Sequence, residues 1–267
     1  MADPATLRAE ADALARRLDK LRFAAQRAEA PHIGAAGRRR AGTGEHFWQY
    51  RHYAQEDSAQ RIDWRRSARG DDLFVRETEL ETARTLLFWC DPAPGFHWAG
   101  TEGQRTKAAD AAVISLAVAS LLSRGGERVG VLGGDRGPSH GGAAVDRLAD
   151  GLIRTGGSGF PAPPQRPALA VLASDFYAMA ETWRTRLTRL GERCRDGVLL
   201  RVTDPVEREF PFEGRVELSA PGEGRPRLIG RAETVREAYL DRYRAQASEI
   251  EAVAGMAGWE VVDHLAG

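Results

Sequence analysis

Apolar positions along the chain change period several times, and each change marks an element. Leu7, Ala11, Leu14, Leu18, Leu21 and Ala25 recur at helical spacing between Arg, Asp and Glu residues, which predicts an amphipathic helix over 5–30 stopped by Pro31. Short apolar runs follow at 73–75 and 85–90, the second continuous and ending on Asp91, as expected of a central strand buried on both faces. A largely apolar helix is predicted over 107–123, closed by Gly125 and Gly126, then a strand over 128–132. The alternation continues with a helix over 143–153, a Gly/Pro loop over 156–167, a strand over 168–173 and a helix over 179–193. Strands at 198–203 and near 216–218, a helix over about 234–253 and a last strand at 259–262 complete it. Strands that alternate with helices predict an α/β, doubly wound, mostly parallel sheet with helices on both faces.

One stretch does not obey either period. Residues 38–81 combine Arg38, Arg39 and Arg40 with Gly42, Gly44 and Glu45, the aromatics Phe47, Trp48, Tyr50 and Tyr53, and the pieces Arg61-Ile62-Asp63-Trp64 and Ser67-Ala68-Arg69. Such a mixture is costly to bury unless each guanidinium meets a carboxylate and each indole N–H a carbonyl, so it predicts a paired polar network.

Gly42, Gly44, Glu45, Phe47, Arg51, Tyr53, Asp57, Arg61, Asp63, Trp64, Ser67, Ala68, Arg69, Leu73, Val75, Arg76 and Glu81 resemble the signature of the domain of unknown function 58 family (DUF 58). The resemblance continues through Asp91, Ser174-Asp175-Phe176, Asp204-Pro205 and Arg236-Glu237-Ala238-Tyr239. It implies a von Willebrand factor A-like, Rossmann-like fold. The organisation expected is an N-terminal helix over 1–31, a small strand-containing signature segment over 32–83 packed on the main domain, and the main domain over 84–267. The interaction or signature residues it marks are Arg40, Gly42, Gly44, Glu45, Arg51, Tyr53, Arg61, Asp63, Trp64, Arg69, Arg76 and Glu81. It also implies a protein partner, a MoxR-type AAA+ ATPase, with this chain as adaptor or co-chaperone.

Composition narrows the classes. The 267 residues suffice for one large core, and 38 basic residues balance 38 acidic ones, so no overall field favours nucleic acid or a membrane surface. Of the basic residues only Lys20 and Lys107 are lysine, which is read as codon bias. Cys90 and Cys194 lack metal-ligand spacing and read as buried thiols. The charged N-terminal stretch shows no secretory signal, and no apolar run is long enough to span a bilayer, so a soluble, cytoplasmic protein without membrane insertion is expected.

Candidate chemistry collects where strands end on Asp91, Asp175 and Asp204. The resembling fold builds a magnesium site there from Asp-x-Ser-x-Ser, a threonine and a further aspartate. Here the loop is Asp91-Pro92-Ala93-Pro94-Gly95, without either serine. No cofactor is therefore expected, with Asp91 capping a helix or accepting a backbone hydrogen bond. The residual alternative is a weakly held magnesium on Asp91 and Asp175, helped by a hydroxyl of Thr155 or Ser158. His46, His52, Glu56, Asp57 and Asp63 offer acid–base material without a metal-helix spacing, and the glycines of 133–142 lack the ending of a phosphate loop. The reading is a non-enzymatic interaction protein with a degenerate metal-ion-dependent adhesion site. A metal-dependent hydrolase at the strand ends is the alternative, and nucleic-acid binding through the arginine run ranks last.

Overall fold

A computed structural model describes residues 3–14, 41–54, 58, 62–68, 70, 72–79, 84–154, 159–219 and 226–267. The chain divides into two compact units, one of Met1–Ala24 with Arg84–Gly267 and the other of Ala25–Ala83.

The larger unit opens with a helix over residues 4–14 (α1) and then follows the predicted alternation. Its strands β3 (Thr85–Cys90), β4 (Arg128–Val131), β5 (Leu169–Ser174), β6 (Gly197–Thr203) and β9 (Glu260–Leu265) form one sheet in the order β4-β3-β5-β6-β9, parallel throughout. Helices α3 (Lys107–Arg124), α4 (Gly142–Arg154), α5 (Ala180–Gly191) and α7 (Glu233–Ala257) flank it. The fold class and the parallel sheet read from the sequence are those observed.

The pleat sorts the apolar runs to two faces. Leu86, Phe88 and Cys90 of β3 pack in one cluster with Leu7 and Ala11 of α1, Leu116 of α3 and Leu148 of α4. Leu87 and Trp89 point the other way, to Trp183 and Leu187 of α5 and Ile250 and Val253 of α7. Strands covered on both sides must be apolar at every position, which is why the sequence reads as continuous runs. Trp183, fully buried, meets Trp89 and Phe160 edge to face and Phe176 at a tilt. An aromatic side chain of that size contributes roughly 4–6 kcal/mol by area, at about 25 cal/mol per Å². The α1 stripe is thus covered by its own unit, with Ser120 donating to Asp12 (3.0 Å) and Arg105 paired to Glu10 (2.5 Å). The rest of the helix predicted over 5–30 lies outside the described residues.

Two short elements after β6 go beyond the sequence reading. Helix α6 (Pro205–Glu209) follows β6, and β8 (Arg227–Ile229) pairs antiparallel with β7 (Val216–Leu218) in a separate hairpin. Three to five residues are too few to display a period. Cys90 and Cys194 are buried free thiols, as read from the sequence.

The smaller unit is an antiparallel ribbon of β1 (Ala41–His52) and β2 (Phe74–Glu79), with a one-turn helix α2 (Trp64–Ser67) between them. Register shifts between Gly42 and Phe47 and between Phe47 and Gln49 break the alternation of β1. This is the structural reason the stretch shows no simple period.

Candidate functional site at the strand carboxyl ends

The order of the sheet places a topological switch between β3 and β5. From β3 the chain moves outward to β4, then crosses back to β5 on the other side of β3. At such a point the loops diverge and leave a crevice at the carboxyl ends. Asp91 follows β3, Ser174 ends β5 with Asp175 next, and Asp204 follows β6.

Each carboxylate has a distinct set of partners. Asp91 Oδ2 accepts a 2.6 Å bond from the Ser174 hydroxyl, and its Oδ1 accepts from the Ala93 N–H at 2.9 Å. The Ser174 oxygen accepts in turn from the Phe176 N–H. Phe176 is buried at a left-handed φ of 57°, and the Gln246 side chain donates to its carbonyl and to that of Ala178. Asp204 caps α6: Oδ1 accepts from Val206 N–H (2.9 Å) while the Glu207 side chain accepts from the Asp204 N–H (3.0 Å), a capping box. Asp204 Oδ2 also accepts from the Gly100 N–H at 2.8 Å.

Between Asp175 and Glu207 lies a residue the sequence did not single out for chemistry. Lys107, at the start of α3, is fully buried, and its Nζ donates to Asp175 Oδ2 at 2.9 Å and to Glu207 Oε1 at 2.6 Å. The rings of Tyr177 and Trp98 stand 5.2 and 5.9 Å from that nitrogen, within cation–π range. Burial holds the Glu207 carboxyl above its ordinary range, and the ammonium offsets this only in part. The Cys90 thiol, buried and beside Asp91, is pushed up to about 12, which leaves it protonated and unreactive.

A divalent ion here would need oxygen donors in an open array. The donors present do not fit one. Ala93 and Gly95 supply no side-chain oxygen, Asp91 is taken by Ser174, Asp204 by the Val206 and Gly100 N–H groups, and the ammonium already sits between Asp175 and Glu207. Among the described residues no group of three or more His, Cys, Asp or Glu side chains is placed to hold an ion. Thr155 and Ser158 lie outside the described residues.

The signature residues fall in the smaller unit. Asp63 caps α2 by accepting from the Arg66 N–H (3.0 Å), and the Tyr50 hydroxyl donates to its other oxygen (3.2 Å). Ser67 donates to the Asp63 carbonyl and accepts from the Phe74 N–H, both at 2.9 Å. Arg66 lies over the Tyr50 and Phe74 rings, and the Tyr53 N–H donates to Leu73. Trp64 is exposed and stands outside this network. Arg40, Arg61, Arg69 and Glu81 lie outside the described residues, as do Glu56 and Asp57. Gly42, Gly44, Glu45, His46, Arg51 and Arg76 are described in β1 and β2 by their backbone alone.

Compared with known families, residues 49–249 match the one described as Protein of unknown function DUF58. The chain belongs to that family. No curated protein and no solved structure matches it. The match runs from the Tyr50–Asp63–Ser67 network through the strand ends to α7, so both polar networks of this DUF58 chain lie within it. Among its described residues no helix is long and apolar enough to cross a membrane.

Proposed function

We propose that this DUF58 chain is a non-enzymatic adaptor, a soluble cytoplasmic protein that docks a MoxR-type AAA+ ATPase at the strand carboxyl ends in a chaperone-like or complex-maturation role. What supports this reading is the state of the strand-end side chains. The carboxylates that would do chemistry are engaged internally, whereas Met179 is 72% exposed and Tyr177 42% exposed on the loop leaving β5. An adhesion site that has lost its metal ligands and kept an apolar rim suits contact better than turnover. Methionine in particular adapts to a partner surface.

The test is binding of the purified chain to a MoxR-type ATPase from the same genome by interferometry. Met179→Asp is expected to weaken the complex about tenfold or more, the effect of losing a central apolar contact. Unchanged affinity would remove the rim from the interface. Hydrolytic turnover that disappears in Asp91→Asn with Asp175→Asn would replace the adaptor by a hydrolase.

A further inference from the structure

We infer that the ammonium of Lys107 is the resident cation of the strand-end site, standing where a divalent ion would stand in a metal-dependent docking site, so that this edge of the sheet works without metal. The inference does not depend on which partner, if any, docks there.

Four observations carry it. Asp175 and Glu207 lie 68 and 100 residues from Lys107 in sequence, yet both place an oxygen within 3 Å of a nitrogen that has no exposure to solvent. Two carboxylates converging in a nearly buried position are costly unless a cation or a shared proton lies between them, and here the ammonium touches both. The lysine is also at the wrong end of its helix: a positive charge in the first turn of α3 opposes the helix dipole, so its placement there answers to the carboxylates and not to the helix. Composition points the same way, since 38 basic residues include only two lysines and one of them is here. A guanidinium is a broad planar fork, whereas an ammonium is a compact point charge with three donors, the closer analogue of a small ion. Lastly, both oxygens of Asp91 are taken within the strand ends, by the Ser174 hydroxyl and the Ala93 N–H.

The experiment uses the full chain and Mn²⁺ as probe, followed by electron paramagnetic resonance and by thermal melting. The wild type is expected to bind no Mn²⁺ saturably and to keep its Tm in millimolar metal. Lys107→Ser should melt roughly 10 °C lower without metal, because two buried carboxylates then face each other. It should also bind one Mn²⁺ and regain most of that loss, and a further Asp175→Asn should abolish the binding. Saturable Mn²⁺ binding by the wild type that Asp175→Asn removes would overturn the inference. So would a Lys107→Ser protein that melts with the wild type, or one that is destabilised and ignores Mn²⁺. If Lys107→Ser does not fold, the neutral triple variant Lys107→Met, Asp175→Asn, Glu207→Gln decides. Folding within a few degrees of the wild-type Tm supports a charge-balancing cation, and failure to fold shows that the lysine serves packing instead.

Discussion

Asp63 in the smaller unit and Asp175 in the larger one are both loop aspartates whose carboxylates are fully engaged, yet they find their partners at very different sequence distances. Among the described partners, Asp63 is served from 3 and 13 residues away, by the Arg66 N–H and the Tyr50 hydroxyl. Asp175 reaches 68 residues back to Lys107, which in turn reaches 100 residues forward to Glu207. Local neutral donors can form as soon as a turn forms, and their loss is absorbed locally. A buried ion pair joining three separate elements exists only in the finished fold, and breaking it strands charge inside the protein. The two networks should therefore fail differently.

The Lys107 substitutions above carry the largest expected effect. Next comes Asp110, another long-range junction. Its Oδ2 accepts from the Gly267 N–H at 3.0 Å and lies 3.6 Å from His264, while Oδ1 pairs with Arg105 at 2.7 Å. Burial alone would raise this carboxyl, but His264, the Gly267 amide and Arg105 outweigh burial and lower it. A carboxylate with a lowered folded pKa contributes stability above its unfolded pKa and loses it as the pH falls through the folded value. Asp110→Asn should thus cost about 1.5–3 kcal/mol at neutral pH and progressively less in acid, read by urea melts across the pH range. A pH-independent difference would mean that shape and not charge matters at this position.

Gly100→Ala probes the same network sterically. A Cβ there would fall 2.3 Å from Asp204 Oδ1 and 2.6 Å from Val206 Cγ2, forcing the α6 cap away and moving Glu207 with it. A loss of about 1–3 kcal/mol is expected by chemical denaturation. Smallest is Asp63→Ala, at about 1 kcal/mol for a lost N-cap, with faster amide exchange in α2 and no change in the exchange of β3 or β5. Protection lost across both units would erase the distinction between local and long-range networks.

What the sequence made legible follows the same division. The strands β3 and β5 announced themselves as near-continuous apolar runs because both faces are covered, β6 did so apart from Arg201, and α3, α4, α5 and α7 by their helical spacing or by the glycines that close them. The aspartates at the strand ends were visible as run terminators. Asp91 was read as an acceptor for a backbone N–H, and it accepts one from Ala93. The Ser174 hydroxyl beside it, and the Lys107–Glu207 contact, were not legible, because no local pattern encodes a pairing 83 or 100 residues long. One signal was present: a lysine retained in a chain that otherwise uses arginine. The scarcity of lysine reads as codon bias over the whole chain, which says nothing of why Lys107 itself is a lysine. In the signature segment Asp63, Tyr50 and Ser67 form a polar network of hydroxyl and backbone donors, while Arg66 lies over the Tyr50 and Phe74 rings and the Trp64 indole, expected against a carbonyl, lies at the surface.

Helix α7 runs 25 residues, a rod about 37 Å long at 1.5 Å per residue. Along one stretch of it Arg236 donates to the carbonyls of Phe210 and Phe212, the Tyr239 hydroxyl to that of Glu207, and Gln246 to those of Phe176 and Ala178. In mechanical terms the helix is a strut pinned to the loops after β5 and β6 at three successive points. A force that slides or turns it therefore acts on the two segments that carry Asp175 and Glu207, the partners of Lys107.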